Sequence, residues 1–155
     1  MVYGGDNHSD AGGTYVPRDT PMPRDEAALA WYIDDYAGAR RDFLARGRLL
    51  AELFEGVQHF EIPVASRSGV DGLAVDGLYI PPPSGQRHRL LIVSSGVHGV
   101  EGPAGSAVQR LFMHEFLRPE NLAGPLADTG ILLLHAVNPY GFATWRRFTE
   151  NNVDL

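Results

Sequence analysis

The chain has 155 residues, 44% hydrophobic and 21% charged, with a formal net charge of −6 and no cysteine. That length fits one domain, and the composition excludes a chain too polar to bury a core. The acidic balance gives no electrostatic reason to expect nucleic acid or an anionic membrane surface as partner. Without cysteine there is no disulfide framework and no thiolate metal site. The first residues, Met1-Val2-Tyr3-Gly4-Gly5-Asp6, lack the basic and apolar regions of a secretory signal. No apolar run approaches the ~18 residues of a membrane helix. The expectation is a soluble, cytoplasmic α/β domain with no nucleic-acid or membrane partner.

Residues 1–24 are rich in Gly, Asp, Pro and Thr and predict a mobile arm. A helical pattern follows, with start signals at Pro23 and Asp25 and with Leu29, Ile33, Tyr36 and Arg40 on one face. Gly47 divides this pattern into two predicted helices, the second ending near Gly56. Over 57–64 the period changes to two. Gln58, Phe60, Ile62 and Val64 form the more apolar set of a half-buried strand. A turn at 66–72 leads to a second strand over 73–80, and the two strands predict a hairpin. Pro81-Pro82-Pro83 ends it.

Leu90-Leu91-Ile92-Val93 predicts a buried strand that breaks into a glycine-rich turn, Ser94-Ser95-Gly96-Val97-His98-Gly99-Val100-Glu101-Gly102. A helix is expected over 103–117, with Ala104, Ala107, Val108, Leu111, Phe112 and Phe116 as its apolar stripe. After a loop over 118–130, the run Ile131-Leu132-Leu133-Leu134-His135-Ala136-Val137 predicts another buried strand. Strand, helix and strand in this order make a parallel, right-handed βαβ unit. Asn138-Pro139-Tyr140-Gly141 reads as a turn, and 142–155 as polar and irregular.

His98 and Glu101 stand in the turn at the carboxyl end of a strand, where open α/β sheets bind ligands. Neutral imidazole and carboxylate are zinc ligands, and two residues at this spacing in a turn can converge on one ion. The competing reading is structural: a packing histidine, and a glutamate favoured by the helix dipole. A His-Gly after a strand also occurs in the oxyanion loop of serine α/β-hydrolases, which need a Gly-x-Ser-x-Gly elbow that this chain lacks. His135, at the end of the neighbouring strand, could approach the same place as a third ligand; in an apolar run a core or supporting histidine is the commoner outcome. His8, His59, His88 and His114 read as surface residues. Arg146 and Arg147 read either as a solvated pair or as guanidinium groups aimed at a carboxylate or an oxyanion.

Three stretches in this order resemble the zinc carboxypeptidase superfamily, and more closely a little-characterised bacterial branch of it. They are the 94–102 turn, Asn138-Pro139-Tyr140-Gly141-Phe142, and Arg146-Arg147 leading to Glu150-Asn151-Asn152-Val153-Asp154-Leu155. The helix around Tyr36 to Leu44 is similar to that branch too. The resemblance covers about residues 30–155 and the front part of the family's domain. It implies a mixed β-sheet flanked by helices, with residues 25–155 as the N-terminal part of the domain. It also implies Zn2+ as cofactor, His98 and Glu101 as the first two metal ligands, and Arg147 (or, in another register, Arg146) as the oxyanion-stabilising arginine. The implied reaction is hydrolysis of a C-terminal peptide bond or a related amide in a peptide or small amide substrate. The family's Asn-Arg pair, third ligand and catalytic glutamate would lie beyond Leu155, so the chain is expected to be inactive alone and to leave an unpaired sheet edge. Tyr140 stands where peptidase members carry Asp, which leaves an amidohydrolase or deacylase substrate equally compatible. A degenerate binding module is the non-enzyme alternative.

Overall fold

Four strands form one mixed sheet in the computed structural model, which describes residues 29–86 and 89–155. The predicted arm, the start signals at Pro23 and Asp25, and His8 and His88 lie outside the described residues. In chain order the elements are α1 (Tyr36–Leu53), β1 (Gln58–Pro63), β2 (Ala74–Ile80), β3 (Arg89–Ser94), a 3-10 turn (Gly99–Glu101), α2 (Gly102–Glu115), α3 (Pro119–Leu122), β4 (Thr129–His135) and α4 (Pro139–Thr144). The strand order is β1-β2-β4-β3. β1 pairs antiparallel with β2, and β2 antiparallel with β4. β3 and β4 are parallel, with Val93 opposite Leu133, so the βαβ unit and the hairpin both form as the patterns predict. The fold is α/β, a mixed sheet flanked by helices. No helix among the described residues is long and apolar enough to cross a membrane.

The long helix starts at Tyr36 because Asp35 caps it, accepting the Gly38 amide at 2.6 Å. It runs unbroken through Gly47, so the predicted division into two helices is corrected. A mid-helix glycine costs about 1 kcal/mol relative to alanine. Phe43 and Leu50 on either side are buried, and each such side chain contributes about 1.5–3 kcal/mol. Packing therefore outweighs propensity. Gly47 also sits against Leu78, whose Cδ1 would lie 3.3 Å from an added Cβ.

Alternation places Ala74, Asp76, Leu78 and Ile80 of β2 on one face with Ile131, Leu133 and His135 of β4. Phe43, Leu50, Met113, Leu117 and Leu122 close that face into the main core. The opposite face is open. Phe60, Ile62, Leu90 and Ile92 are 39–56% exposed on it, and Leu132 and Leu134 are half-buried. Two expectations are corrected here. β3 is an exposed edge strand rather than a buried one, and β1 buries no face, because only one side of the sheet carries helices among the described residues. Phe60 instead lies across the Gly77 backbone of its partner strand, where a side chain would collide with the ring.

The expected apolar stripe of α2 is also corrected. Val108, Leu111 and Phe116 are exposed, and the buried face is Gly102, Pro103, Ser106, Gln109, Arg110 and Met113. The reason is hydrogen-bond satisfaction at the strand ends. Gln109 donates to the carbonyls of Val93 and Leu134 at 2.9 and 3.2 Å and accepts from Ser95 Oγ at 3.0 Å. The Leu134 carbonyl also accepts the Ser95 amide at 2.9 Å, so Gln109 supplies a second bond there, and each such bond contributes about 0.5–1.5 kcal/mol. Arg110 is held by Asp42 at 2.6 Å and by the Trp31 carbonyl.

Candidate active site

The β3–α2 turn and the segment after β4 are locked together by glycine against glycine. A Cβ on Gly99 would collide with the backbone of Gly141 and the Arg146 carbonyl. Gly141 in turn has no room for a side chain beside the Asn138 amide. The two motifs therefore belong to one contact. Asn138-Pro139-Tyr140-Gly141, expected as a simple turn, starts α4. Asn138 Oδ1 accepts the Gly141 amide at 2.9 Å, and Pro139 takes the first turn, where its missing N–H is no loss. Asn138 Nδ2 also donates to the Arg147 carbonyl at 3.1 Å, and the Gly99 amide reaches the same carbonyl at 3.3 Å. Asn138 is 2% exposed, so this clamp is buried. It delivers the Arg147 side chain to the His98 turn. Sequence reasoning missed the role of Asn138, although an Asn-Pro just after a strand is a helix N-cap signal.

His98, Glu101, Arg147 and Asp154 meet at the surface. His98 Nδ1 lies 3.2 Å from Glu101 Oε1, and His98 Nε2 lies 3.2 Å from Asp154 Oδ1. Arg147 Nη2 is 3.3 Å from Asp154 Oδ2 and 3.2 Å from His98 Nε2. One hydrogen cannot serve both neighbours of Nε2. Glu101 and Asp154 are both acceptors at 3.2 Å, so either ring nitrogen can carry the hydrogen; the tautomer that leaves Nδ1 open to a metal is the one with hydrogen on Nε2, donated to Asp154. In that tautomer Arg147 is held through Asp154, and the Nδ1 lone pair points toward Glu101. Asp154 was read from sequence only as part of a motif; its contact with His98 comes from the return of the chain after Arg147.

Two ligands about 2.1 Å from a tetrahedral ion lie roughly 3.4 Å apart, close to the His98–Glu101 spacing. A ligating histidine donates its other N–H to a carboxylate, as His98 can to Asp154. His98 and Glu101 thus fit two positions on one zinc ion. Among the described residues no group of three or more His, Cys, Asp or Glu side chains could hold a metal ion. Asp154 does not complete the set, because it lies on the opposite edge of the ring. Beside Glu101 a cleft of about 480 Å3 opens between the end of β3 and α2, bordered by Gly96, Val97, Ala104 and Val108.

The other sequence candidates separate from this place. His135 is fully buried and stacked on Phe43 with ring centroids 4.8 Å apart. Its Nε2 is 3.1 Å from Ser106 Oγ, and its Nδ1 has no hydrogen-bond partner. Burial pushes its pKa down to about 4, with the positive charges of Arg40 and Arg110 assisting against Asp76 and Asp42. It is a neutral core residue, the commoner of the two outcomes read from its apolar run, and not placed to join His98 and Glu101. Arg146 turns away, bonded to Asn152 Oδ1 and lying 5.8 Å over the Tyr140 ring. Glu150 ties the chain back to the 66–68 loop: the Arg67 and Ser68 amides donate to it at 3.0 and 2.7 Å, and Ser66 Oγ at 3.2 Å. These bonds hold its pKa at about 2. His114 and His59 are both surface-exposed as expected, and His59 is also bonded to the buried Asp76 at 3.1 Å. The Gly99 amide, which an oxyanion loop would offer to substrate, is occupied by the Arg147 carbonyl.

Comparison with curated proteins gives no match. The model of a protein family of unknown function, DUF2817, matches residues 32–155, which is most of the chain and includes both motifs and Arg147. The chain belongs to the DUF2817 family.

Proposed function

We propose that the chain is the N-terminal portion of a zinc-dependent, metallocarboxypeptidase-like hydrolase that cleaves a C-terminal peptide bond or a related amide. The observation that carries this reading is the arrangement around His98, with Glu101 at Nδ1 and the Asp154 carboxylate at Nε2. A merely packed surface histidine has no need of carboxylates on both ring nitrogens. A zinc ion held here by His98 and Glu101 would act as a Lewis acid on the scissile carbonyl and lower the pKa of water. Asp154 orients His98 and keeps its hydrogen on Nε2. Arg147, anchored by Asn138 through its backbone and by Asp154 through its side chain, holds a positive charge at the Nε2 edge of His98, across the ring from the Nδ1–Glu101 position. That charge would meet the negative charge that develops on the carbonyl oxygen. The third ligand and the general base belong to residues after Leu155 in this reading.

The residues encoded after Leu155 test it first. Asn-Arg directly after Leu155, with a histidine much further on, is the expected result. A frame that ends at Leu155, or continues without them, overturns the reading. The 155-residue chain is expected to hydrolyse neither C-terminal peptide bonds nor N-acyl amino acids with added zinc, and turnover that depends on His98 would move the missing ligand and base into this chain.

A further inference from the structure

We propose that the cleft between α1 and the β1 edge binds a small amphiphilic monocarboxylate, with its apolar tail in the cleft and its carboxylate on Arg48. The cleft measures about 360 Å3, within the range of small-molecule sites, and its walls are mostly apolar: Leu44, Ala51, Val57 and Leu78. Gly47 forms part of its lining, and the absent side chain there keeps the cleft open above Leu78. Two polar residues line it, Arg48 and His59.

Charge decides the ligand class. Neighbouring ionic groups on α1 and the sheet are already committed. Arg40 bonds Asp76 at 2.6 Å and Glu61 at 2.7 Å, Arg46 bonds Asp42 at 2.6 Å, and His59 bonds Asp76 at 3.1 Å. Arg48 is exposed and makes no ion pair or hydrogen bond among the described residues; Glu52, one helical turn on, does not pair with it. Among the described residues the rim therefore carries one guanidinium that no carboxylate pairs. A single planar fork matches one carboxylate in bidentate fashion, and the apolar walls match an alkyl or branched tail. This site is separate from the His98 region and does not rest on its assignment.

Sodium octanoate is the probe, titrated into the 15N-labelled chain. Saturable shifts are expected at the amides of Leu44, Arg48, Ala51 and Val57. Arg48→Glu is expected to weaken binding by about tenfold or more, and octanol, which lacks the charge, to bind comparably weakly. Ala51→Phe, a change at an exposed position, fills the cleft and is expected to abolish the shifts while the rest of the spectrum is retained. Shifts confined to Phe60, Ile62, Leu90 and Ile92 on the open sheet face would overturn the proposal. So would octanoate binding that is unchanged by both Arg48→Glu and Ala51→Phe.

Discussion

His98 and His135 stand past and at the carboxyl ends of two adjacent parallel strands, yet they are different chemical objects. His135 ends β4 inside the core, stacked on Phe43 and bonded to Ser106, with its pKa driven down to about 4. His98 stands four residues past the end of β3, in a turn that has left the core, with a carboxylate at each ring nitrogen. The difference teaches that strand-end position alone does not make a site. What matters is whether the residue is still within the register of the sheet, under the helices, or in the turn beyond it. The glycine-rich turn lifts His98 out, while His135 remains paired opposite Asp76.

This contrast can be broken in order of effect. His135→Ala should lose about 3 kcal/mol or more of stability in urea unfolding, from the cavity beside Phe43 and the orphaned Ser106 hydroxyl. It should leave the zinc affinity of the folded protein unchanged; loss of zinc binding would make His135 a ligand after all. Acid should act on the same residue. Its folded pKa lies below the unfolded value of 6.5, so the unfolded chain binds more protons between pH 6.5 and about 4. Stability is full above that window and falls as pH drops through it, by on the order of 3 kcal/mol. In His135→Gln the fall over this window should flatten; an unaltered pH profile would place the titrating group elsewhere.

On the His98 side the effects should be on metal rather than on folding. His98→Gln at a half-buried position and Asp154→Asn at an exposed one are expected to change stability by no more than about 1 kcal/mol. Asp154→Asn should weaken zinc binding roughly 10–100-fold, the effect of losing a carboxylate behind a ligating histidine. A His98→Gln protein that still binds zinc as tightly as the parent would remove the metal role from this turn. Smallest of all is Glu150→Gln, which loosens the 66–68 loop and should lower the Tm slightly. Because the Glu150 pKa is depressed from 4.5 to about 2, its contribution is present above pH 4.5 and is lost as pH falls through about 2. A melting difference that persists unchanged at pH 2 would show that charge is not what holds the loop.

The elements were legible in the sequence wherever local pattern and tertiary need agree. The β1–β2 hairpin follows from period-two alternation, and the β3–α2–β4 unit from two apolar runs around a helical stretch. Legibility failed where polar groups do core work. Nothing in the periodicity of α2 announces that Gln109 faces inward to bond two strand-end carbonyls and the Ser95 hydroxyl while Val108 and Leu111 face out. It failed again for β3, since an apolar run looks the same whether its face is covered or open. Within the site, His98, Glu101 and Arg147 were recognisable as types in an order. Asp154 and Asn138 were not given their roles, because both act through contacts that join distant parts of the chain.

By itself, the sequence determined the α/β class, the parallel unit and the turn that bears His98 and Glu101, because these depend on residue type and spacing along a short length of chain. Only the tertiary structure decided which histidine leaves the core, which arginine approaches it and which carboxylate stands behind it. Those outcomes depend on burial and on the fit of Gly99 against Gly141, and no local spacing encodes either.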